Sequence, residues 1–290
     1  MMENIKIVAE NMPWLFAAFA FIFGACIGSF LNVCIYRIPK GESVVSPPSH
    51  CKCGAKIKWR DNIPLASWFL LRGRARCCGE KFSFRYVLVE FLTAAVFAML
   101  WCKFDPPASV VFMAFCSILI VASFIDIDTM ELPDILTVGG CVLGCVLSFL
   151  VPQIHLREIP DGAPFLFCAI KSLIVSAIGA CVGAGLLYWI RIVAECVFGR
   201  EAMGEGDVVL VGCIGAFCGW QGALFAIFGG SLLGSVIMIP MLALSKKSAQ
   251  GEGSNMIPFG PWLGLGALVY LLFAEAYVDM YFEGVRELFF

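Results

Sequence analysis

The sequence contains a series of apolar segments long enough to cross a lipid bilayer. A transmembrane helix needs about 20 mainly apolar residues, and 60% of the chain is hydrophobic whereas only 14% is charged. The sequence therefore predicts an all-α polytopic membrane protein with about eight transmembrane helices, which excludes a soluble globular enzyme. The predicted spans are 14–36, 84–102, 108–125, 134–151, 167–190, 207–220, 222–244 and 261–280.

Basic residues are concentrated between the first and second spans. Segment 37–85 contains eleven of the twenty Lys and Arg residues, and segments 191–206 and 245–260 add two each. Basic loops stay preferentially in the cytoplasm. We therefore expect all three segments on the cytoplasmic side, with both termini outside and 37–85 as a cytoplasmic insert between helices 1 and 2.

Two aspartates lie at the edges of predicted spans. Asp126 follows the apolar run 109–125, and Asp207 precedes the apolar run 208–220. The predicted topology places both at the cytoplasmic edge of the membrane, where a carboxylate is costly to keep and indicates a function. Two neighbouring carboxylates can share one proton and act as an acid and a base. The sequence thus predicts a catalytic pair, Asp126 and Asp207.

Other polar residues near these positions have simpler interpretations. Asp128 and Asp134 are expected to be solvated loop carboxylates or helix caps, with Asp134 capping the fourth span after Pro133. Glu205 is expected to be a surface charge. His155, in a loop on the opposite side, is expected to be exposed.

Four cysteines share the only sizeable polar segment. Cys51 and Cys53 form one pair, and Cys77 and Cys78 form another. Two such pairs, each followed by Gly, resemble a zinc ribbon, although its usual Cys-x-x-Cys spacing is shortened here. His50 stands at that spacing before Cys53 and could replace Cys51. The alternatives are a reduced, metal-free basic loop and a loop held by a cysteine cross-link.

Several motifs in order resemble the type IV prepilin peptidases, which are bifunctional leader peptidases and N-methyltransferases of the peptidase A24 type. The resemblance covers most of the chain. The motifs are Gly28-Ser-Phe-Leu-Asn32, Tyr36-Arg37-Ile-Pro39, Asp61-Asn-Ile-Pro64, Arg85-Tyr86 with Glu90, Asp126 through Asp134, Gly204-Glu-Gly-Asp207, Gly219-Trp-Gln221 and Ile257-Pro-Phe-Gly-Pro261.

This resemblance implies an aspartic endopeptidase of the bacterial inner membrane. The enzyme would cleave the basic leader of prepilins or pseudopilins and would methylate the new N-terminus. The expected cofactors are S-adenosylmethionine and a structural zinc ion, and the expected partners are those substrates, the pilus or type II secretion machinery and the bilayer, with no nucleic acid. The implied domains are a first helix (1–36), an insert associated with methylation (37–85) and a membrane peptidase domain (86–290).

Three positions depart from the family pattern, and two other functions stay open. His50 and Ala75 occupy places where the family has cysteines, and Val209 stands where it tends to have Lys. A peptidase-only relative with a degenerate insert is one alternative. An ion- or proton-coupled transporter using Asp126 and Asp207 is another, although transporter carboxylates usually lie near mid-membrane. No Rossmann-type glycine fingerprint occurs, so methylation rests on the resemblance and its cofactor site is unassigned.

Overall fold

The computed structural model describes residues 12–47, 51, 53–156, 163–199, 203–245, 258–278 and 280–282. The regular structure of these residues is almost entirely helical, and they contain an isolated antiparallel bridge between Arg74 and Lys81 but no strand. The prediction of an all-α fold is therefore confirmed. The described α-helices are α1 Pro13–Arg37, α2 Ala66–Leu70, α3 Arg85–Lys103, α4 Pro106–Thr129, α5 Asp134–Leu150, α6 Phe165–Phe198, α7 Glu205–Ser245 and α8 Gly260–Val269.

Most of these helices are suited to a lipid environment. Within the described residues, six helices are long and apolar enough to cross a membrane, and α5 is a shorter apolar helix. Each of the eight predicted spans coincides with helix, and the polar insert lies between α1 and α3. The protein is therefore a multi-pass membrane protein.

Helix α7 contains a reversal of chain direction at Gly219. This residue has φ 69° and ψ −179°, which is not helical and is accessible mainly to glycine. A Cβ on Gly183 of α6 would lie 2.9 Å from both the Val211 carbonyl oxygen and the Ala223 Cβ. In one straight helix those two residues would be about 18 Å apart. The limbs 205–218 and 220–245 are therefore antiparallel, as the predicted spans 207–220 and 222–244 require.

The chain forms two compact units. The first, Met1–Val121, contains α1, the insert, α3 and the beginning of α4. Within it, α1 packs closely on α3, since a Cβ on Gly28 would lie 2.7 Å from the Cα of Glu90. Asn32 on α1 also donates a hydrogen bond to the Tyr86 carbonyl at 3.0 Å. These contacts position the polar residues at the end of α1 beside the insert.

The second unit, Ala122–Phe290, contains the end of α4 and helices α5 to α8. Small residues permit close contact between α6 and α7, where a Cβ on Gly179 would lie 2.2 Å from the Gly215 carbonyl oxygen. Such close contact between small residues is typical of helices that associate in lipid.

The structure corrects the expectation that His155 is exposed. Its Nε2 lies 3.1 Å from the Ala216 carbonyl oxygen in the first limb of α7. Burial lowers the pKa of His155 to about 4. The imidazole is therefore neutral at pH 7 and donates its Nε2–H to that carbonyl.

Candidate active site

Asp126 lies in the last turn of α4 and is only 5% exposed. Its Oδ2 accepts a hydrogen bond from the backbone N–H of Gly260 at 2.9 Å. Gly260 is the first residue of α8, so the carboxylate faces the positive end of a helix dipole. A Cβ at position 260 would lie 2.8 Å from that same oxygen. The approach of α8 to Asp126 therefore requires a glycine.

Asp207 lies in the first turn of α7 and is 8% exposed. Its carboxylate accepts a hydrogen bond from the backbone N–H of Gly204, and it lies close enough to Asp126 for the two charges to interact. The bond to Gly204 closes the start of α7 in the manner of a capping box. The structure thus brings together the two carboxylates that the sequence selected.

The turn before Asp207 is packed against the loop that follows Asp126. A Cβ on Gly206 would lie 2.7 Å from the Cβ of Leu132, which is closer than side-chain carbons approach. Leu132 belongs to the loop between α4 and α5, which begins where Met130 adopts a positive φ of 55°. This contact holds the two acidic motifs together and depends on the absence of a side chain at position 206.

The neighbouring acidic residues lie outside this pair. Asp128 belongs to the last turn of α4 rather than to the loop, because the helix continues to Thr129, and it is exposed. Asp134 is the first residue of α5, whose N-cap is Pro133 with no side-chain cap hydrogen bond. The expectation that Asp134 caps this helix is therefore wrong, because its carboxylate lies inside the first turn.

Glu205 is an exposed charge, as the sequence predicted. Its side chain is 86% exposed and lies 3.3 Å from Arg191 of α6. Arg191 also binds Glu195 at 2.7 Å. An ion pair this exposed contributes little to stability.

Sequence reasoning gave no role to Gly260 and Leu132. The signal for Gly260 was available, since Gly260-Pro261 directly before an apolar segment indicates a helix start, where free N–H groups bind anions. Leu132 and Gly206 are distant in the sequence, and no local sequence pattern predicts their contact.

The four cysteines of the insert form a second cluster, in the first unit. Their sulfur atoms all lie within 4.8 Å of one another. The sulfur–sulfur distances are 3.5 Å for Cys51–Cys78, 3.4 Å for Cys53–Cys77 and 3.9 Å for Cys77–Cys78. Four thiolates at about 2.3 Å from a tetrahedral zinc ion would be about 3.8 Å apart. The donor set and its spacing therefore fit zinc.

The short spacing within each cysteine pair does not prevent the four sulfur atoms from surrounding one zinc ion, because each pair lies on its own tight turn. The N–H of Gly54 donates to the Cys51 carbonyl, and the N–H of Gly79 donates to the Ala75 carbonyl. The two shortest distances join cysteines of different turns. His50, the possible substitute ligand, lies outside the described residues.

The thiols of this cluster differ in their acidity. The backbone hydrogen bond from Cys53, together with the neighbouring thiols, lowers the pKa of Cys51 to about 7. Hydrogen bonding with Cys53 and Cys51 raises the pKa of Cys77 to about 12. A first thiolate therefore forms readily at neutral pH, whereas further thiolates need a cation to offset their charge.

Comparison with known proteins identifies two matching regions. Residues 22–104 match the bacterial peptidase A24 N-terminal domain, and residues 113–239 match the type IV leader peptidase family. The first region contains the cysteine cluster, and the second contains both aspartates. No solved structure matches the chain significantly.

Relatives extend the similarity over most of the chain. A prepilin leader peptidase/N-methyltransferase of Myxococcus xanthus is 37% identical over 85% of this chain and 69% of its own length. One of Pectobacterium carotovorum is 32% identical over 92% of this chain and 96% of its own. The type 4 prepilin-like proteins leader peptide-processing enzyme of Escherichia coli is 33% identical, over 91% and 97% respectively. The chain therefore belongs to the type IV leader peptidase family.

Proposed function

We propose that this protein is an aspartic endopeptidase that cleaves the leader of prepilins or pseudopilins, with Asp126 and Asp207 as its catalytic residues. The observation that carries the proposal is the pair itself. Two buried carboxylates from different helices interact, and each accepts a backbone N–H from near a helix N-terminus. An ion-coupled transporter is not favoured by the family membership.

The pair is suited to peptide hydrolysis, because neighbouring carboxylates do not both ionise readily and so share one proton. The ionised carboxylate takes a proton from water as the water oxygen adds to the scissile carbonyl carbon. The other carboxyl donates its proton to the amide nitrogen as the C–N bond breaks. A new carboxyl group and a new amine result, and the pair again holds one proton.

The substrate proposed is a membrane-anchored precursor with a short basic leader. A pair at the cytoplasmic edge of the inner membrane would meet the bond where such a leader leaves the bilayer. The basic insert supports this orientation through the positive-inside rule. The partners proposed are therefore prepilins or pseudopilins and the pilus or type II secretion machinery that receives them.

The first prediction concerns the pair. Asp126→Asn and Asp207→Asn should each reduce cleavage of a co-expressed prepilin by at least about a thousandfold, because neither remaining carboxylate can complete the proton transfers alone. The double variant should be no worse than either single one, since residues that act as a unit are not additive. Cleavage would be followed by the mobility shift of the precursor, with the variant's membrane level as reference.

Asp128→Asn and Asp134→Asn are the matched controls, because they remove one nearby carboxylate each outside the pair. Both should retain most of the activity. Substantial cleavage by either single variant of the pair would contradict a shared acid–base mechanism.

We also propose N-methylation of the new amine, a function that the relatives' names include. S-adenosylmethionine would supply the methyl group, which passes from its sulfonium to the amine nitrogen with loss of a proton. The proposed division of the chain is a first transmembrane helix (1–36), an insert associated with methylation (37–85) and a membrane peptidase domain (86–290). Mass spectrometry of the processed pilin N-terminus in cells with and without the enzyme would test the methylation.

The cysteine cluster is proposed to hold a structural zinc ion through Cys51, Cys53, Cys77 and Cys78. The support is the near-tetrahedral set of sulfur atoms in a segment with few apolar residues, whose folding would draw on metal binding. The carboxylate pair itself uses no metal in the proposed chemistry.

The second prediction is that purified protein contains about one zinc ion per chain, since one four-sulfur site is present. Cys53→Ser and Cys78→Ser should each lose the metal and expose the insert to proteolysis, as measured by elemental analysis and limited trypsin digestion. Cys102→Ser, at an exposed cysteine outside the cluster, should keep both. Metal-free wild-type protein with a protease-resistant insert would contradict the site.

A further inference from the structure

The motifs of the first unit that take no part in the proposed peptidase chemistry converge on one cavity. It has a volume of about 280 Å³ and lies along the end of α1, under the loop 44–47. Ser29 and Phe30 come from the first motif, Arg37 from the second and Asn62 from the third. Residues of three motifs that are separated in the sequence thus line the same cavity. Its volume is slightly below the usual range for small-molecule sites.

Arg37 gives this cavity a buried positive charge. The residue is only 7% exposed, and its guanidinium donates to the carbonyls of Ser43 at 2.8 Å and Pro47 at 2.7 Å. Among the residues that the structure describes, no carboxylate pairs with it. A buried guanidinium without a counter-ion is costly, and its planar fork matches a carboxylate. The two carbonyls fix the position of the Arg37 guanidinium, which lines the cavity and is suited to binding an anionic group.

The carboxyl group of Glu90 lies behind the other end of the cavity. Ser29 lines the wall and hydrogen-bonds to Glu90 of α3, which also accepts the N–H of Leu65 at 2.7 Å. Ser29 and Arg37 are eight positions apart on α1, which corresponds to about 12 Å along the helix. The site therefore offers a cation at one end and a hydrogen-bonded hydroxyl and carboxyl pair at the other, which suits an elongated polar ligand with an anionic end.

We infer that this cavity binds the methyl donor, S-adenosylmethionine, an inference that rests on the proposed methyltransferase function. Arg37 would pair with the carboxylate of the ligand, and Ser29, which hydrogen-bonds to Glu90, would contact the other end of the ligand. Phe30 and Val33 provide an apolar wall for the purine, and Asn62 provides a hydrogen-bonding edge. The cavity lies entirely within the first unit, whereas both aspartates belong to the second.

Titration calorimetry with S-adenosylmethionine tests this assignment, using full-length protein in phosphatidylcholine nanodiscs. Arg37→Gln should weaken the affinity about tenfold or more, as expected for loss of one charge-assisted pair. Phe30→Ala should also weaken it, although it leaves the hydrogen bonds of Arg37 to the 43–47 loop intact. Lys56→Gln, which removes an exposed charge from the same basic insert, should bind like wild type. Prepilin cleavage by the same samples should be unchanged.

Several results would overturn the inference. Wild-type affinity in both Arg37→Gln and Phe30→Ala would show that the donor binds elsewhere. An equal loss in Lys56→Gln would show non-specific attraction. Retention of phosphatidylglycerol that depends on Arg37, with unchanged S-adenosylmethionine affinity, would identify a lipid phosphate as the ligand. If wild-type protein cleaves prepilin but neither binds S-adenosylmethionine nor methylates the product, that result would contradict the proposed methyltransferase function itself.

Discussion

At the scale of single residues, the candidate active site depends on two positions that have no side chain. Gly260 lets a helix N-terminus reach Asp126, and Gly206 lets the turn before Asp207 reach Leu132. In both cases an added Cβ would meet an atom within 3 Å. A substitution at position 260 must therefore displace the Asp126 carboxylate, and one at position 206 must displace Leu132 or the start of α7.

The third prediction follows from the contact of Gly206 with Leu132. Gly206→Ala should reduce prepilin cleavage by about tenfold to a hundredfold, because a displacement of about 1 Å at a catalytic group can cost that much. The amount of protein in the membrane should change little. Initial cleavage rates in membranes containing equal amounts of enzyme would measure the effect.

Gly139→Ala is the control, because a Cβ there meets nothing within 4 Å and α5 should tolerate alanine well. The double change Gly206→Ala with Leu132→Gly removes the opposing Cβ and should restore part of the rate. Full activity of Gly206→Ala alone would mean that the contact does not position Asp207.

At the scale of elements, the reversal at Gly219 is stabilised by residues from other helices and loops. The Ala216 carbonyl lies just before the reversal, where the regular helical hydrogen bonds end. It accepts hydrogen bonds from Ser176 Oγ at 2.8 Å and from His155 Nε2 at 3.1 Å. The loop that follows α5 thereby secures the hairpin of α7.

The fourth prediction is a pH dependence of stability that arises from His155. Its folded pKa of about 4 lies below the ordinary 6.5, so the unfolded chain binds the proton more readily. The stabilisation is complete above pH 6.5 and is lost as the pH falls towards 4, with a maximum of about 3 kcal/mol. Thermal unfolding of purified protein at pH 7.5 and pH 5 would measure this loss.

His155→Gln separates this effect from other titrations, since glutamine can donate a hydrogen bond but does not ionise in this range. The difference in unfolding temperature between the two pH values should be smaller in this variant. Ser176→Ala should lower stability by about 1 kcal/mol at both pH values and keep the wild-type difference. An unchanged pH dependence in His155→Gln would contradict the assignment.

At the scale of the whole molecule, the fifth prediction concerns orientation. If the insert lies in the cytoplasm, its four cysteines should not react with an impermeant maleimide added to intact cells. Cys196, at the end of α6 on the same predicted side, should not react either. Cys102 is exposed at the far end of α3 from the insert and should be labelled. Mass spectrometry of the labelled peptides would give the result for each position.

Permeabilised cells treated with a zinc chelator are the control, because bound metal also protects thiols. The insert cysteines should then react. Labelling of Cys53 or Cys77 in intact cells would reverse the orientation and move the aspartate pair to the outer edge of the membrane.

The helical architecture and the choice of Asp126 and Asp207 as candidate catalytic residues both follow from the amino-acid sequence alone. Helices in lipid satisfy their backbone hydrogen bonds internally, so length and apolar composition are enough to locate them. The cost of a carboxylate at the edge of a membrane made Asp126 and Asp207 visible without any knowledge of their neighbours.

Contacts between residues that are distant in the sequence became apparent only from the folded chain. The contact of Gly260 with Asp126, the burial of His155 and the grouping of Ser29, Arg37 and Asn62 around one cavity join residues far apart in the chain. The zinc site shows the same limit of sequence-based prediction. Whether four sulfur atoms can bind one ion depends less on the spacing within each cysteine pair than on the distances between the two turns. Such contacts depend on how helices pack and where loops fold back, and neither periodicity nor local composition predicts them.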